Sequence, residues 1–448
     1  MSNPLNWSLL DGGVPIAVTA VGGCALVYLA ARRRRRWYSR TVPLILVGAV
    51  AVALLTWLLV EVVWHPFAGP LPVTVLTWTG VAAAALGLGV AKVSSSRWRG
   101  RLLAGGAVVL VVLMALNNVN TFFGYYPNMR DVLGLPFSDQ ISATAALRLG
   151  GAAAGPTVPA SSDSTPPTGL AVSLAAAWKP PRDLPQSGKV VEVDIPGTVS
   201  KFPARPAWLY LPPAYLTSNP PLLPVLELLG GQPGSSRDWL NGNDLTGVMD
   251  RFADLHGGLA PVVVMPDALG SFWANPLCIN SRLGQSDTYL AVDVPNWVRR
   301  HLHVDQDTAT WAVGGGSFGG TCAWQLAVFH PQLFPTFLDF SGVYEQLRGT
   351  LQETIDAAFA GDTRKFSEVN PAQVLVHHRR PDTWAMLGSG STDQYYLDEI
   401  EETAALCRRA GMHVQVIVFP GGHAGPVFAG LLTDSMNWLA RRDGILGR

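Results

Sequence analysis

The sequence predicts two parts: an N-terminal bundle of four transmembrane helices, and after it an α/β domain with a mainly parallel sheet and helices on both faces. Three observations predict this. Four long apolar stretches lie in the first third of the 448 residues. Short apolar runs separated by amphipathic stretches fill most of the remainder. Charge divides along the same line: the formal net charge is zero, yet residues 1–150 hold 12 basic and 4 acidic side chains, while residues 151–448 hold 20 and 28. A charged fraction of 14% and a mean hydropathy of +0.23 suit a membrane protein. Disorder throughout is excluded by 48% hydrophobic residues, and four cysteines are too few for a disulfide scaffold. An acidic larger part argues against a nucleic-acid partner. Arg outnumbers Lys 27 to 5, a bias expected of a GC-rich bacterial genome.

The apolar stretches are 15–31, 42–64, 71–91 and 102–118. Each is near the length that crosses ~30 Å of hydrocarbon at ~1.5 Å per residue. Arg32 to Arg36 and Arg40 lie between the first two stretches, and Lys92, Arg97, Arg99 and Arg101 lie between the last two. Basic loops stay cytoplasmic, so the N-terminus and everything after residue 118 are expected on the outer side of a cell membrane, with the lipid bilayer as partner. Charges that follow the first stretch, instead of preceding it, argue against a cleaved signal peptide. Glu61 is the one ionisable residue within the four stretches and lies near an end, which points to an anchor and not a transport path. The expected division is 1–120 for the anchor, 121–187 for an outer segment with a Pro/Ala/Ser-rich linker, and 188–448 for the outer domain. Within the second of these, 150–187 reads as a flexible tether.

KVVEVDIP (189–196) and ARPAWLYLPP (204–213) read as an antiparallel strand pair. LLPVLELLG (222–230), APVVVMPD (260–267), TWAVGGGS (310–317), PTFLDFSG (335–342), TWAMLGSG (383–390) and HVQVIVFPGG (413–422) are continuous apolar runs, the mark of buried parallel strands. GGSFG (315–319) fits G-x-S-x-G. A strand enters it and an apolar helix leaves it, which puts Ser317 on the sharp turn of a nucleophile elbow. A serine hydroxyl needs a base to take its proton. His423, in the glycine turn after the last strand, is placed to be that base, and Asp393 after the preceding strand to orient it; Glu399 and Glu402 on the following helix are alternative acids. Chain order Ser, Asp, His suits an α/β-hydrolase. An oxyanion hole needs two backbone N–H groups, here expected from Phe318 and from Gln232 or Gly231, because Pro233 has none. No phosphate loop and no metal-binding spacing occurs in the sequence, so neither cofactor nor metal is expected.

With LELLGG (226–231), VVMPDALGSFWANPLC (263–278), SDTYLAVDVPNWV (286–298), GGSFGG (315–320), HPQLFPTFLDFSG (330–342) and GGH (421–423) in this order, the outer domain resembles the esterase D family of α/β-hydrolases. The branch is the one containing the mycobacterial mycolyltransferases, and the resemblance spans about 188–440. It implies a Ser–acid–His triad of Ser317, Asp393 and His423, an acyl-enzyme, and transfer of the acyl group to water or a hydroxyl acceptor. Those transferases carry an arginine, associated with trehalose binding, where this chain has Pro233, so transfer to trehalose is not expected. The helix-rich insertion 343–380 is expected to cap the site. Cys24 falls within the first span. Cys278, Cys322 and Cys407 are an odd count that leaves at least one unpaired; Cys278 and Cys322 could pair, or they could be buried free thiols. The expected function is a membrane-anchored serine esterase or acyltransferase acting on a lipid or envelope glycolipid ester. The alternative is a catalytically inactive hydrolase fold serving as an envelope-binding or scaffold protein.

Overall fold

A computed structural model describes residues 3–94, 96–153 and 173–447. The chain divides into two compact units, Met1–Leu135 and Pro136–Arg448.

In the first unit α1 (Gly13–Ala30), α2 (Val42–Leu58), α3 (Val73–Val93) and α4 (Trp98–Phe123) are each almost wholly apolar. Wider π-helical turns, Trp37–Thr41 and Leu59–Trp64, flank α2, so one unbroken helical stretch of 28 residues runs from Trp37 to Trp64. All four stretches are long and apolar enough to cross a membrane. Small residues let the helices approach closely: a Cβ on Gly22 would meet Met114, and one on Gly89 would meet Val108. Leu44, Val47, Leu54, Val90 and Leu102 point outward and exposed. An outward apolar face with small residues inside is the pattern of helices solvated by lipid. Lys92 donates to the carbonyls of Tyr28 and Ala31, where α1 leaves its last acceptors unpaired.

The second unit holds a nine-stranded sheet. Its strands are β1 (Gln140–Ile141), β2 (Lys189–Val193), β3 (Ala207–Leu211), β4 (Val225–Leu229), β5 (Val262–Met265), β6 (Ala312–Gly316), β7 (Thr336–Phe340), β8 (Trp384–Gly390) and β9 (His413–Phe419). They lie in the order β1-β2-β3-β5-β4-β6-β7-β8-β9. β3 is antiparallel to both neighbours, and every other pair is parallel. Helices α5 (Leu245–Leu255), α6 (Val294–His301), α7 (Phe318–Phe329), α8 (Leu351–Phe359), α9 (Thr363–Val369), α10 (Gln394–Arg409) and α11 (Gly425–Arg442) connect or cover these strands. β3, β4, β5, β6 and β7 are buried at every residue, which is why they appear in the sequence as unbroken apolar runs. The register sets Leu229 beside Gly315, Gly316 beside Phe340 and Gly390 beside Phe419. The C-terminal ends of β4, β6, β7, β8 and β9 therefore share one edge, where α/β sheets place their ligand crevice.

Two expectations change here. β1 is a two-residue edge strand outside every predicted run, formed because Gln140 and Ile141 pair with Val190 and Val191. The expected tether is docked over part of its length. Residues 154–172 lie outside the described residues, but Leu174 N and Ala175 N donate to Gly444 O and Ile445 O, and Trp178 Nε1 donates to Gly257 O. Leu174, Ala175 and Trp178 pack against the core of the second unit. Apolar side chains spaced through a Pro/Ala-rich stretch give it something to bury, so composition alone overstated its freedom.

Candidate active site

At the end of β6 the chain turns sharply at Ser317, with φ 56° and ψ −122°, and enters α7. A non-glycine residue in this region costs on the order of 1–3 kcal/mol, held only by tight surroundings. Those surroundings are glycines: a Cβ on Gly315 would lie 2.2 Å from Gly319 C, and one on Gly319 would lie 2.1 Å from Leu229 O. Strand, turn and helix therefore approach more closely than any side chain permits. Ser317 N donates to Phe340 O at 2.7 Å, which pins the turn to β7. Phe318, first residue of α7, has an amide with no acceptor inside the helix, as every helix start does.

The β4 turn reaches the same place. A Cβ built on Gly231 would stand 3.7 Å from Ser317 Cβ. Gln232 follows it, its side-chain Nε2 donating to Trp273 O at 3.3 Å, while Gly234 N donates to Phe272 O at 3.1 Å. One brace of this turn escaped the sequence reading. Arg205 binds Asp267 through Nη2 to Oδ1 (2.6 Å) and Nε to Oδ2 (2.9 Å), and its Nη2 also donates to Gly234 O at 2.9 Å. Asp267 is 1% exposed, so this bidentate pair works in a low-dielectric setting. A sequence separation of 62 leaves no spacing signal, although an acid two residues after a buried strand was a hint.

Asp393 closes the loop after β8, and His423 sits in the turn after β9. Backbone bonds zip these loops together: Ser391 N to Phe419 O (2.8 Å) and Thr392 N to Gly421 O (2.9 Å). His423 Nδ1 and Asp393 Oδ2 are 2.8 Å apart, with both side chains largely buried. The imidazole stacks on Tyr396 (centroids 4.1 Å, interplanar 26°) and meets the Phe428 ring edge-on at 5.3 Å. Hydrogen bond and stack together fix its edge and its plane. Phe428 also links the two halves, since a Cβ on Gly316 would sit 3.2 Å from its ring. Neither alternative acid bonds to His423 among the described residues. Glu399 accepts Tyr344 N at 2.7 Å, and burial pushes its carboxyl up; Glu402 is exposed on α10.

Cys278 and Cys322 form a disulfide with Cα atoms 5.4 Å apart, which closes the alternative left open above. It ties the loop after β5 to the second turn of α7. Asp339 lies fully buried near the end of β7, its Oδ1 accepting Gly342 N at 2.9 Å. Burial pushes its carboxyl up to about 7, against the pull of the Gly342 N–H and with the help of Glu399.

Residues 204–439 match the model of the esterase family, described as "Putative esterase". The chain belongs to the esterase family. As an esterase it is a carboxylic ester hydrolase or acyltransferase with an α/β-hydrolase sheet. An uncharacterised protein of Corynebacterium glutamicum is 30% identical over 446 residues, covering 96% of each chain. Among solved structures, a ferulic acid esterase is similar with a TM-score of 0.49 at 19% identity, over 58% of this chain and 99% of that one. An S-formylglutathione hydrolase from Agrobacterium tumefaciens is similar at 0.46 and 16%, over 58% and 97% of the two chains. MPT51 of Mycobacterium tuberculosis is similar at 0.42 and 16%, over 56% and 97%.

Proposed function

We propose that this esterase is a membrane-anchored serine hydrolase or acyltransferase, with Ser317 as nucleophile, His423 as base and Asp393 as orienting acid. It acts on a lipid or envelope glycolipid ester at the outer face of the membrane. The observation that carries the reading is the convergence, on one sheet edge, of a strained Ser317 with an Asp393–His423 pair at 2.8 Å. Asp393 accepts the Nδ1–H of His423, leaving Nε2 to take the Ser317 proton as Oγ attacks the ester carbonyl. The carbonyl oxygen, now negative, is met by the amides of Phe318 and of Gln232 or Gly231. The ester C–O bond then breaks, and the alcohol leaves with the proton held by His423. Water or a second hydroxyl gives its proton to His423, attacks the acyl-enzyme and regenerates Ser317.

The outer-face assignment draws on the two arginine-rich loops and on the Cys278–Cys322 disulfide, which suits an oxidising compartment. Detergent-purified full-length protein should hydrolyse p-nitrophenyl butyrate, and Ser317→Ala and His423→Ala should each lose at least about 10³-fold in kcat. Turnover by Ser317→Ala within tenfold of wild type contradicts the assignment. Protease added outside intact cells should cleave the esterase domain; cleavage confined to inverted vesicles overturns the proposed side.

A further inference from the structure

The β4 turn, Gly230 to Gly234, reads GGQPG. Its glycines hold their backbone dihedrals loosely, and Pro233 has no N–H with which to be tied. A donor to a developing oxyanion serves catalysis only if it is already aimed when the charge appears. The amides of Gly231 and Gln232 must therefore be fixed from outside the segment.

The structure supplies that fixing at the two ends of the turn. Before it, Trp239 Nε1 donates to Leu229 O at 2.8 Å. After it, both peptide groups of Gly234 are held, the N–H by Phe272 O at 3.1 Å and the carbonyl by Arg205 Nη2 at 2.9 Å. Both of these tethers trace back to Asp267. β3 and β5 run antiparallel with Trp208 beside Met265, which brings the residues before β3 to those after β5. There the Asp267 carboxylate accepts Arg205 N (2.8 Å), Leu269 N (3.2 Å) and Gly270 N (3.1 Å) besides the guanidinium. It shapes the loop that carries Phe272 O, and it orients the guanidinium that reaches Gly234 O. A planar fork of fixed N–H directions can serve the carboxylate and the carbonyl at once, which a single ammonium cannot do in the same plane.

We propose that Arg205 is a positioning residue for ester cleavage: through Gly234 O it holds the β4 turn so that its amide is aimed at the oxygen that becomes negative. The inference rests on the reading of Ser317 as nucleophile and of this turn as an oxyanion donor. Arg205 acts through Gly234 and not on the ester itself.

The test uses full-length Arg205→Ala and Arg205→Lys. Hydrolysis of p-nitrophenyl butyrate gives kcat and KM. An alkyl trifluoromethyl ketone, whose carbonyl carbon adds a serine Oγ to form a tetrahedral oxyanion, gives a Ki for the same geometry. Deleting an oxyanion donor costs about 10²- to 10³-fold in kcat, so a donor kept but no longer aimed should cost roughly 10- to 100-fold. Arg205→Ala should show that loss with KM within about threefold, and the ketone Ki should rise by the same factor. Asp267 keeps its three backbone N–H donors in this variant. Arg205→Lys keeps a cation beside Asp267, so it should melt with wild type and still lose at least about tenfold in kcat. Wild-type kcat in either folded variant overturns the proposal. A loss carried wholly by KM, or a fall in kcat with an unchanged ketone Ki, overturns it too. Ser317→Ala is run alongside; if it still turns over the ester, the nucleophile reading fails, a result distinct from any effect at Arg205.

Discussion

Asp393→Asn isolates the contribution of the orienting acid with the smallest change of shape. In the structure Asp393 Oδ2 lies 2.8 Å from His423 Nδ1, with 12% of the aspartate side chain exposed. As His423 takes a proton, a positive imidazolium forms with the carboxylate charge ~4 Å from its centre. At an effective dielectric of ~20 that attraction is worth ~4 kcal/mol, or about 10³ in rate. Asparagine removes the charge. It can also turn its N–H₂ toward Nδ1, which puts the imidazole proton on Nε2, where it cannot accept from Ser317. The two effects together predict a fall in kcat of about 10³- to 10⁴-fold with KM little changed. Hydrolysis of p-nitrophenyl butyrate measures it, with thermal melts to show that the fold is kept. Glu399→Gln and Glu402→Gln, neither bonded to His423 among the described residues, should stay within about threefold. Retention of more than a tenth of wild-type kcat by Asp393→Asn, or an equal loss in Glu399→Gln, would refute the reasoning.

Two further outcomes follow from the same geometry. Gly319→Ala places a methyl 2.1 Å from Leu229 O, a backbone atom, so β4 and α7 must part. It should destabilise by about 1–3 kcal/mol and lower kcat/KM by displacing the β4 turn, read by melting and ester hydrolysis; unchanged values in both contradict the packing. Asp339, with its folded pKa near 7 against ~3.9 unfolded, is protonated in the fold over a range where the unfolded chain is ionised. Folding stability therefore falls as pH rises from about 4 to about 7, by at most ~4 kcal/mol from this group. Asp339→Asn should flatten that slope in melts between pH 5 and 7.5, and equal slopes would count against it.

The sequence made the parallel core legible because burial on both faces leaves little besides apolar residues in β4 to β7. The elbow was legible for a related reason, since only glycines survive where strand and helix touch. His423 could be singled out by its glycine turn after the last strand. Other features depend on residues far apart in the chain, and pattern does not carry them. Arg205–Asp267 is such a case, as is β1, whose two residues become a strand only because β2 offers an edge. The Cys278–Cys322 pairing stayed open until both Cα positions were known. Tyr396 beneath His423 belongs here too, because stacking on the imidazole has no signature in one sequence.

The central claim is that Ser317 is the nucleophile, and the most direct measurement is the site of a covalent adduct. Full-length protein treated with a fluorophosphonate should gain one adduct mass. Peptide mapping should place it on Ser317 within GGSFGG, and Ser317→Ala should remain unlabelled. An adduct at any other serine, or equal labelling of Ser317→Ala, would contradict the account.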